Sequence, residues 1–203
     1  MKVLVTGGCG FLGSHICGLF KDKGWDVIAF DNLTKDEFKR NTYMKDEARD
    51  HNRKLLESKG VKIVQGDIRN KEELFASCEG VDYICHTAAQ PTMTMSWEQP
   101  DLDFSINVIG TFNCLEAARK FKIPIASCNS VHCYGPDKIN SELSEFDFSC
   151  PDCDYELNRY VRNPVAINED EPLLQGTVTP LHASKMAAEN YIRCYIDTFK
   201  VKA

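Results

Sequence analysis

Short apolar runs alternate with longer stretches of helical periodicity along most of this chain. The runs at residues 2–6, 25–30, 61–64, 81–85 and 123–127 are typical of strands that are buried on both faces of a parallel sheet. Apolar side chains recur at helical spacing in the stretches 11–23, 67–78, 101–121 and 179–200. This alternation predicts an α/β fold, a doubly wound parallel sheet with helices on both faces and right-handed crossovers.

Two polar segments interrupt the alternation. Residues 35–59 are charged and are expected to be helical in part. Residues 136–176 form a long polar insertion that is rich in Asp, Glu, Asn and Pro. A loop of that length inside a compact domain is usually functional or locally mobile. We therefore predict one domain over residues 1–203, with the insertion as a loop.

A glycine-rich sequence, TGGCGFLG at residues 6–13, joins the first predicted strand to the first helix. Gly7 allows a tight turn, Gly10 lets the backbone approach a pyrophosphate, and Gly13 allows close helix–strand packing. Asp31 ends the second strand, where a carboxylate binds ribose hydroxyls and repels a 2′-phosphate. The alternative is a plain glycine turn beside a surface aspartate. The order of strand, glycines, helix, strand and acid instead predicts a site for NAD on a Rossmann-type domain.

The motifs of the chain resemble those of the extended short-chain dehydrogenase/reductase family, in its branch of NAD-dependent nucleotide-sugar epimerases and dehydratases. The resemblance rests on the glycine spacing and on DNL at 31–33, GDIR at 66–69, HTAAQ at 86–90 and NVIGT at 107–111. Residues 90–111 are most similar to the 2-epimerases that act on CDP-sugars. The resemblance implies NAD as the cofactor and a CDP- or UDP-sugar as the substrate, which is interconverted by transient hydride transfer.

The resemblance also assigns residues to the cofactor and to the substrate. The cofactor-binding residues would be Gly7, Gly10, Phe11, Leu12, Gly13, Asp31, Asn32, Asp67, Ile68, Ala88, Ala89, Gln90, Asn107 and Lys185. The substrate would lie near Thr92, Met93 and Thr94. The family counterpart of Asp67 accepts a hydrogen bond from the adenine amine, and a helix N-cap is the alternative role for this side chain.

The chemistry of the family uses a Ser or Thr, a Tyr and a Lys. The Tyr removes a proton from the sugar, and the Lys ammonium lowers the pKa of that Tyr and binds the nicotinamide ribose. Lys185 stands at the lysine position of the Y-x-x-x-K motif, and Leu181 stands at the tyrosine position. Leucine has no proton to exchange. His182 and Tyr134 are the candidate substitutes, although adjacent helical side chains such as those of Leu181 and His182 point about 100° apart.

Two residues are candidates for the catalytic hydroxyl position. The family pattern S-S-x-x-x-V-Y-G corresponds to SCNSVHCYG at 127–135, which is one residue longer. Counting back from the end of the motif selects Ser130, whereas counting forward from Ser127 selects Asn129. Ser130 is favoured because the site must provide a hydroxyl oxygen.

Charge and hydropathy limit the other classes of function. The net charge of −6 and the pI near 5.4 argue against a nucleic-acid partner, which needs clustered Lys and Arg. No segment approaches the roughly 20 apolar residues of a membrane helix, so no membrane partner is expected. The N-terminus lacks a signal-peptide pattern, and we expect a cytoplasmic protein.

Ten cysteines are a high number for 203 residues. Six stand singly in apolar runs and are expected to be buried thiols: Cys9, Cys17, Cys78, Cys85, Cys114 and Cys194. The pair Cys150 and Cys153 has the spacing of half a zinc site, with Cys133 or His132 as a candidate further ligand. A turn that carries two thiols is the simpler interpretation, and no metal is predicted.

Two functions from different classes stay open. One is an NAD-dependent nucleotide-sugar epimerase, favoured by the glycine motif and Lys185. The other is a non-catalytic NAD-binding module, a degenerate enzyme or one half of a split enzyme, favoured by Leu181. We expect that the small C-terminal substrate domain of the family is absent from these residues.

The resemblance implies a homodimer through the helices at residues 101–121 and 179–200. Four aromatic side chains are candidates for the contact: Phe104, Phe112, Tyr191 and Tyr195. Packing of the same side chains on their own sheet is the alternative, because helical periodicity does not separate the two.

Overall fold

A five-stranded parallel sheet forms the centre of the molecule. The computed structural model describes residues 1–34, 46–134, 143–149, 156–162 and 178–203. The strands are β1 (Lys2–Thr6), β2 (Asp26–Asp31), β3 (Lys62–Gln65), β4 (Tyr83–His86) and β5 (Ile125–Ser127), in the order β3-β2-β1-β4-β5. All four neighbouring pairs are parallel. The predicted doubly wound fold is confirmed, and its strand order reverses between β1 and β4, where such sheets bind ligands.

Helices connect these strands. They are α1 (Phe11–Asp22), α2 (Asp46–Ser58), α3 (Lys71–Ser77), α4 (Met93–Glu98), α5 (Pro100–Phe104), a π-helical turn (Ser105–Gly110), α6 (Thr111–Phe121), a 3-10 turn (Val131–Cys133) and α7 (Pro180–Phe199). The predicted helix at 101–121 is therefore interrupted by a π-helical turn, and α4 was not predicted. Residues 35–59 contain α2, as expected.

The core lies on both faces of the sheet because consecutive strand residues point to opposite sides. On one face, Leu4 of β1 packs with residues of α3, α6 and α7. On the other face, Val3 and Val5 pack with residues of α1, and Leu56 of α2 joins them. All four side chains are at most 1% exposed. Each such burial stabilises the fold by about 1.5–3 kcal/mol.

The structure corrects or completes several sequence predictions. The insertion predicted as a loop contains an antiparallel pair, β6 (Leu143–Ser149) and β7 (Glu156–Arg162). Cys194 is exposed rather than buried, because it lies on the outer side of α7, whereas the other five single cysteines are buried. The pair Cys150 and Cys153 lies outside the described residues.

The four aromatic residues assigned to a dimer contact have different environments. Tyr195 is 4% exposed and belongs to the core of its own domain, and Phe112 packs against that core. Their ring centroids are 6.1 Å apart in an edge-to-face arrangement. Phe104 and Tyr191 are 53% and 42% exposed. Tyr195 therefore packs within the protein itself, as the alternative to a dimer contact predicted, whereas Phe104 and Tyr191 are exposed.

Candidate functional site

The glycine sequence forms a tight turn at the carboxyl end of β1. Gly7 has a φ of 65°, a conformation that favours glycine, and its N–H donates to the carbonyl of Phe30 at 2.8 Å. Gly10 precedes α1 in extended conformation, so the first N–H groups of the helix have no preceding helical turn to bond. A Cβ at Gly13 would lie 2.1 Å from the carbonyl oxygen of Gly7. Only a glycine at this position lets α1 pass so close to the turn.

Asp31 joins the end of β2 to this turn. One carboxylate oxygen accepts from the backbone N–H of Cys9 at 2.9 Å, and the other accepts from the N–H of Leu33 at 2.8 Å. On the opposite side of the turn, the Asn52 amide of α2 donates to the carbonyls of Cys9 at 3.2 Å and Gly10 at 3.3 Å. Sequence reasoning missed Asn52, because it stands in a charged segment that carries no motif.

A cavity of about 490 Å³ opens beside the turn, at the carboxyl ends of β1, β2 and β4. Ten of the predicted cofactor-binding residues line it: Gly7, Gly10, Phe11, Asp31, Asn32, Asp67, Ile68, Ala88, Ala89 and Gln90. Of the other four, Leu12 and Gly13 lie in the first turn of α1, and Asn107 and Lys185 belong to a buried polar network described below. The structure adds further lining residues that sequence reasoning missed, among them Thr34, Asn52, Arg69, Met95, Leu102 and Ile106.

Asp67 and Arg69 form an ion pair on the cavity wall. The Arg69 guanidinium donates to both Asp67 oxygens, at 2.9 and 2.5 Å, and the Asn32 amide donates to one of them at 3.3 Å. These donors hold the pKa of Asp67 below its usual value, because they stabilise the ionised form. The alternative role of Asp67 as a helix N-cap is wrong. Asn70 caps α3 instead, accepting from the N–H of Glu73.

A buried polar network links Lys185 of α7 to the end of β4. Its centre is Asn107 in the π-helical turn, whose side-chain oxygen accepts from the N–H of Gln90 at 2.8 Å and from the Lys185 ammonium at 3.4 Å. The Asn107 amide nitrogen donates to Asp103 at 3.0 Å and to Ser184 at 3.1 Å. Burial lowers the pKa of Lys185, and the negative charge of Asp103 opposes that shift.

The predicted substrate segment begins next to this network. Thr92 donates to the Gln90 side-chain oxygen from its N–H at 2.5 Å and from its hydroxyl at 2.9 Å. Met93 is half-buried at the first position of α4, and Thr94 is exposed. The cavity lining described above includes Met95 of the same helix.

Leu181 is 1% exposed in the first turn of α7. The adjacent His182 is buried and belongs to the helix cap, where its Nδ1 accepts from the N–H of Thr179 at 3.4 Å and lies 2.7 Å from the Thr179 hydroxyl. Its ring packs edge-on against His132, with the centroids 4.9 Å apart. Burial and the neighbouring His132 lower the pKa of His182. The cap therefore occupies the basic ring nitrogen that an acid–base substitute would need.

Both candidates for the hydroxyl position take part in a local turn after β5. The Ser130 hydroxyl accepts from the N–H of His132 at 3.2 Å and caps the 3-10 turn. The Asn129 oxygen accepts from the N–H of Ser130 at 2.9 Å, and its amide nitrogen donates to Glu189. The Asn129 amide is thus bonded to Glu189 of α7, whereas Ser130 provides a hydroxyl three residues after the end of β5. Tyr134, the second candidate substitute for tyrosine, follows that turn directly.

The sequence profile of the NAD dependent epimerase/dehydratase family matches residues 3–203. The chain belongs to this family. Among curated relatives, CDP-paratose 2-epimerase of Salmonella typhi is 33% identical over 202 residues, which are 98% of this chain and 54% of the relative. A putative UDP-glucose 4-epimerase of Methanocaldococcus jannaschii is 32% identical over 197 residues, with shares of 95% and 50%. The family predicted from the motifs is confirmed.

Solved structures of this epimerase/dehydratase family share the fold. The UDP-glucose 4-epimerase of Thermus thermophilus, crystallised in complex with NAD, superimposes with a TM-score of 0.68 at 28% identity. The comparison covers 99% of this chain and 52% of that structure. This family member therefore spans about half the length of the relatives it matches.

The described part of the chain shows neither a metal centre nor a membrane span. Within residues 1–34, 50–134 and 178–203, whose side chains the structure describes, no three His, Cys, Asp or Glu side chains are grouped to hold a metal ion. In the same ranges no helix has the length and hydropathy to cross a bilayer.

Proposed function

We propose that this chain binds NAD in the cavity beside the glycine turn. The main support for the proposal is the contact between Asp31 and that turn. The carboxylate of Asp31 accepts from the backbone N–H of Cys9 at 2.9 Å, and the residue also lines the cavity. The pyrophosphate would lie at the first N–H groups of α1, and Asp31 would bind the adenosine ribose hydroxyls. A volume of about 490 Å³ with bare backbone at Gly7 and Gly10 fits such a dinucleotide.

The remaining predicted cofactor residues divide between two regions. Asp67 and Ile68 would hold the adenine, and the backbone of residues 88–90 would line the cofactor farther along the cavity. Asn107 and Lys185 would hold the nicotinamide ribose from the buried side. The Lys185 ammonium lies in that region, and contacts with the backbone of Gln90 and the side chains of Asp103 and Ser184 fix the orientation of its partner Asn107.

We infer that the whole protein acts on a nucleotide sugar, with CDP and UDP as the candidate nucleotides. The named activities of the two relatives support this substrate class. When it is bound, NAD supplies a hydride acceptor. Lys185 would place a positive charge near the reacting hydroxyl, Ser130 would orient the sugar oxygen, and the segment 92–94 would border the sugar.

A second candidate function is that of an NAD-binding module that catalyses no reaction. The buried Leu181 favours it, because this side chain cannot move a proton from the position four residues before Lys185. Such a module would act through binding or through assembly with another polypeptide.

Assembly and location complete the proposal. The exposed rings of Phe104 and Tyr191 support a homodimer through the helices within residues 101–121 and 179–200. Sedimentation of the parent and of Phe104→Glu tests it, since a dimer should dissociate when a charge replaces that ring. The eight described cysteines are all free thiols, which supports a cytoplasmic location. We expect neither nucleic-acid nor membrane partners.

Calorimetric titration with NAD and NADP tests the cofactor proposal. We expect the parent to bind NAD more tightly than NADP. Asp31→Asn should weaken NAD binding about 10-fold, because a hydrogen bond to a charged group is lost. The ratio of the NAD affinity to the NADP affinity should become smaller, because the negative charge that repels a 2′-phosphate is removed. Asp26→Asn, at the exposed start of the same strand, removes the same charge and should change neither. A parent that binds neither cofactor would overturn the proposal.

A further inference from the structure

Asp103 is a carboxylate held inside the protein next to the polar network of Asn107. It lies on α5, two residues before the π-helical turn, and its side chain is 1% exposed. One oxygen, Oδ1, accepts from the Gln90 amide at 2.8 Å and from the Asn107 amide at 3.0 Å. The other, Oδ2, is buried and has no hydrogen-bond partner among the described residues. Such a group is costly for a fold to retain, so it requires an explanation.

The acceptor-only character of the carboxylate orients two amides. Since an ionised carboxylate cannot donate, the NH₂ groups of Gln90 and Asn107 must turn toward it. The oxygen of Gln90 then faces Thr92, from which it accepts two hydrogen bonds. The oxygen of Asn107 faces the Lys185 ammonium at 3.4 Å. If Asn107 were flipped, it would present hydrogen-bond donors to a cation.

The backbone places these groups on one side of the helix. Asp103 and Asn107 are four residues apart, so their side chains are neighbours along the helix surface. The π-helical turn Ser105–Gly110 contains Asn107, whose backbone carbonyl accepts from the Thr111 hydroxyl at 2.7 Å. Such turns occur frequently at functional sites because they change the direction of the side chains that follow.

The charges around Lys185 give the carboxylate a second role. Burial disfavours the charged lysine, and Asp103 is the negative group that opposes this effect. On β4, burial and then the positive charge of Lys185 lower the pKa of His86 to about 4, so His86 is neutral at physiological pH.

None of the charged or titratable side chains near Lys185 on the described part of α7 acts as its negative partner. One turn earlier, His182 has a lowered pKa and is also neutral. One turn later, the Glu189 carboxylate is bonded to Arg193 at 2.6 Å and to Asn129. Among the described groups, Asp103 therefore supplies the negative charge for the buried ammonium.

We propose that Asp103 is a positioning residue for Lys185: together with the backbone of Gln90, its carboxylate holds the orientation of the Asn107 amide, and it supplies the charge that keeps the ammonium in this buried place. The catalytic meaning of this arrangement rests on the proposed function of Lys185. The arrangement itself belongs to the cofactor-free chain and can be measured there.

Competitive acetylation of the full chain, followed by mass spectrometry of the peptide that carries Lys185, measures the titration of this one amine. In the parent, the midpoint should lie above neutral pH. Asp103→Asn keeps the shape of the side chain and removes its charge, so the midpoint should fall by about one pH unit or more. The matched control is Asp101→Asn, an exposed position on the same helix with the same loss of charge, which should leave the midpoint unchanged.

Three results would overturn the proposal. They are a parental midpoint below neutral pH, an unchanged midpoint in Asp103→Asn, and an equal fall in Asp101→Asn, which would show a general charge effect. The parental measurement needs no variant, so it decides even where Asp103→Asn does not fold. Because no cofactor is added, a failure of NAD binding would be recorded separately in the calorimetric titration.

Discussion

The hydroxyl of Tyr195 donates to the Glu116 carboxylate at 2.8 Å, which joins α7 to α6 across the face of the sheet that carries Leu4. Glu116 also accepts two hydrogen bonds from Arg119, at 2.7 and 3.0 Å. These donors stabilise the ionised form and lower the pKa of Glu116 to about 2. Tyr195 is thus a core residue whose single polar atom has a charged partner.

The Glu116 contact should make stability depend on pH. Because the pKa of Glu116 in the folded state lies below its value in the unfolded chain, its contribution is present above the unfolded pKa and is lost as pH falls toward about 2. Tyr195→Phe should lower the free energy of unfolding by about 1.5 kcal/mol at neutral pH. Urea unfolding at several pH values measures both effects. The acid-induced loss of stability should be smaller in Glu116→Gln than in the parent, because the contribution of this one carboxylate is removed, and an equal loss in both proteins would contradict the assignment.

Gly13 and Gly18 lie on the same helix and should respond to alanine in opposite directions. A Cβ at Gly13 would meet the backbone of Gly7 at 2.1 Å, so Gly13→Ala must displace α1 or the turn. We expect a loss of stability of about 2 kcal/mol or more, together with a loss of NAD affinity. At Gly18 the nearest atom would be the Lys59 nitrogen at 3.7 Å. Gly18→Ala should therefore stabilise the protein by up to about 1 kcal/mol. Thermal unfolding compares the two variants, and equal effects would show that the close approach at Gly13 has no importance.

Asn52 should support cofactor binding through neutral hydrogen bonds to the backbone of the glycine turn. Its amide holds the carbonyls of Cys9 and Gly10, so Asn52→Ala should loosen the turn at which we propose that the pyrophosphate binds. NAD affinity should fall about 5-fold, since roughly 1 kcal/mol of hydrogen bonding is lost. His51→Ala, an exposed neighbour on α2, is the control. Unaltered affinity in Asn52→Ala would exclude a role for this contact.

Leu181 separates the two functions that the site supports. The parent, Leu181→Tyr and Leu181→Phe should be compared for NADH absorbance and for sugar interconversion with CDP- and UDP-sugars. The Phe variant controls for ring volume at a position that is 1% exposed, since overpacking alone costs about 1–3 kcal/mol. Turnover in Leu181→Tyr alone would support a binding module derived from an enzyme. Turnover in the parent would contradict that function and show that another group moves the proton.

The local sequence pattern was sufficient to predict the sheet and the glycine turn. The strands and most helices were predicted within a few residues, because apolar runs and helical periodicity report burial directly. The turn was predictable because Gly7 and Gly13 meet steric demands of neighbouring backbone. Asn52 was missed, since it reaches its partners through tertiary contacts and no motif marks it. Arg69 stands in the GDIR motif, but its ion pair with Asp67 was not predicted.

The sequence by itself determined the fold class and the family and predicted the place of the cofactor site, because each follows from local order such as strand, glycines, helix, strand and acid. Only the tertiary structure decided how the polar residues behind that site are used. It placed Asp103 beside Asn107 and Lys185, assigned Asn70 rather than Asp67 to the helix cap, and buried Tyr195 in the core. The helix cap depends on the residue at which α3 begins. The environments of Asp103 and Tyr195 depend on which side chains meet across helices that are distant in sequence, and on whether water still reaches them.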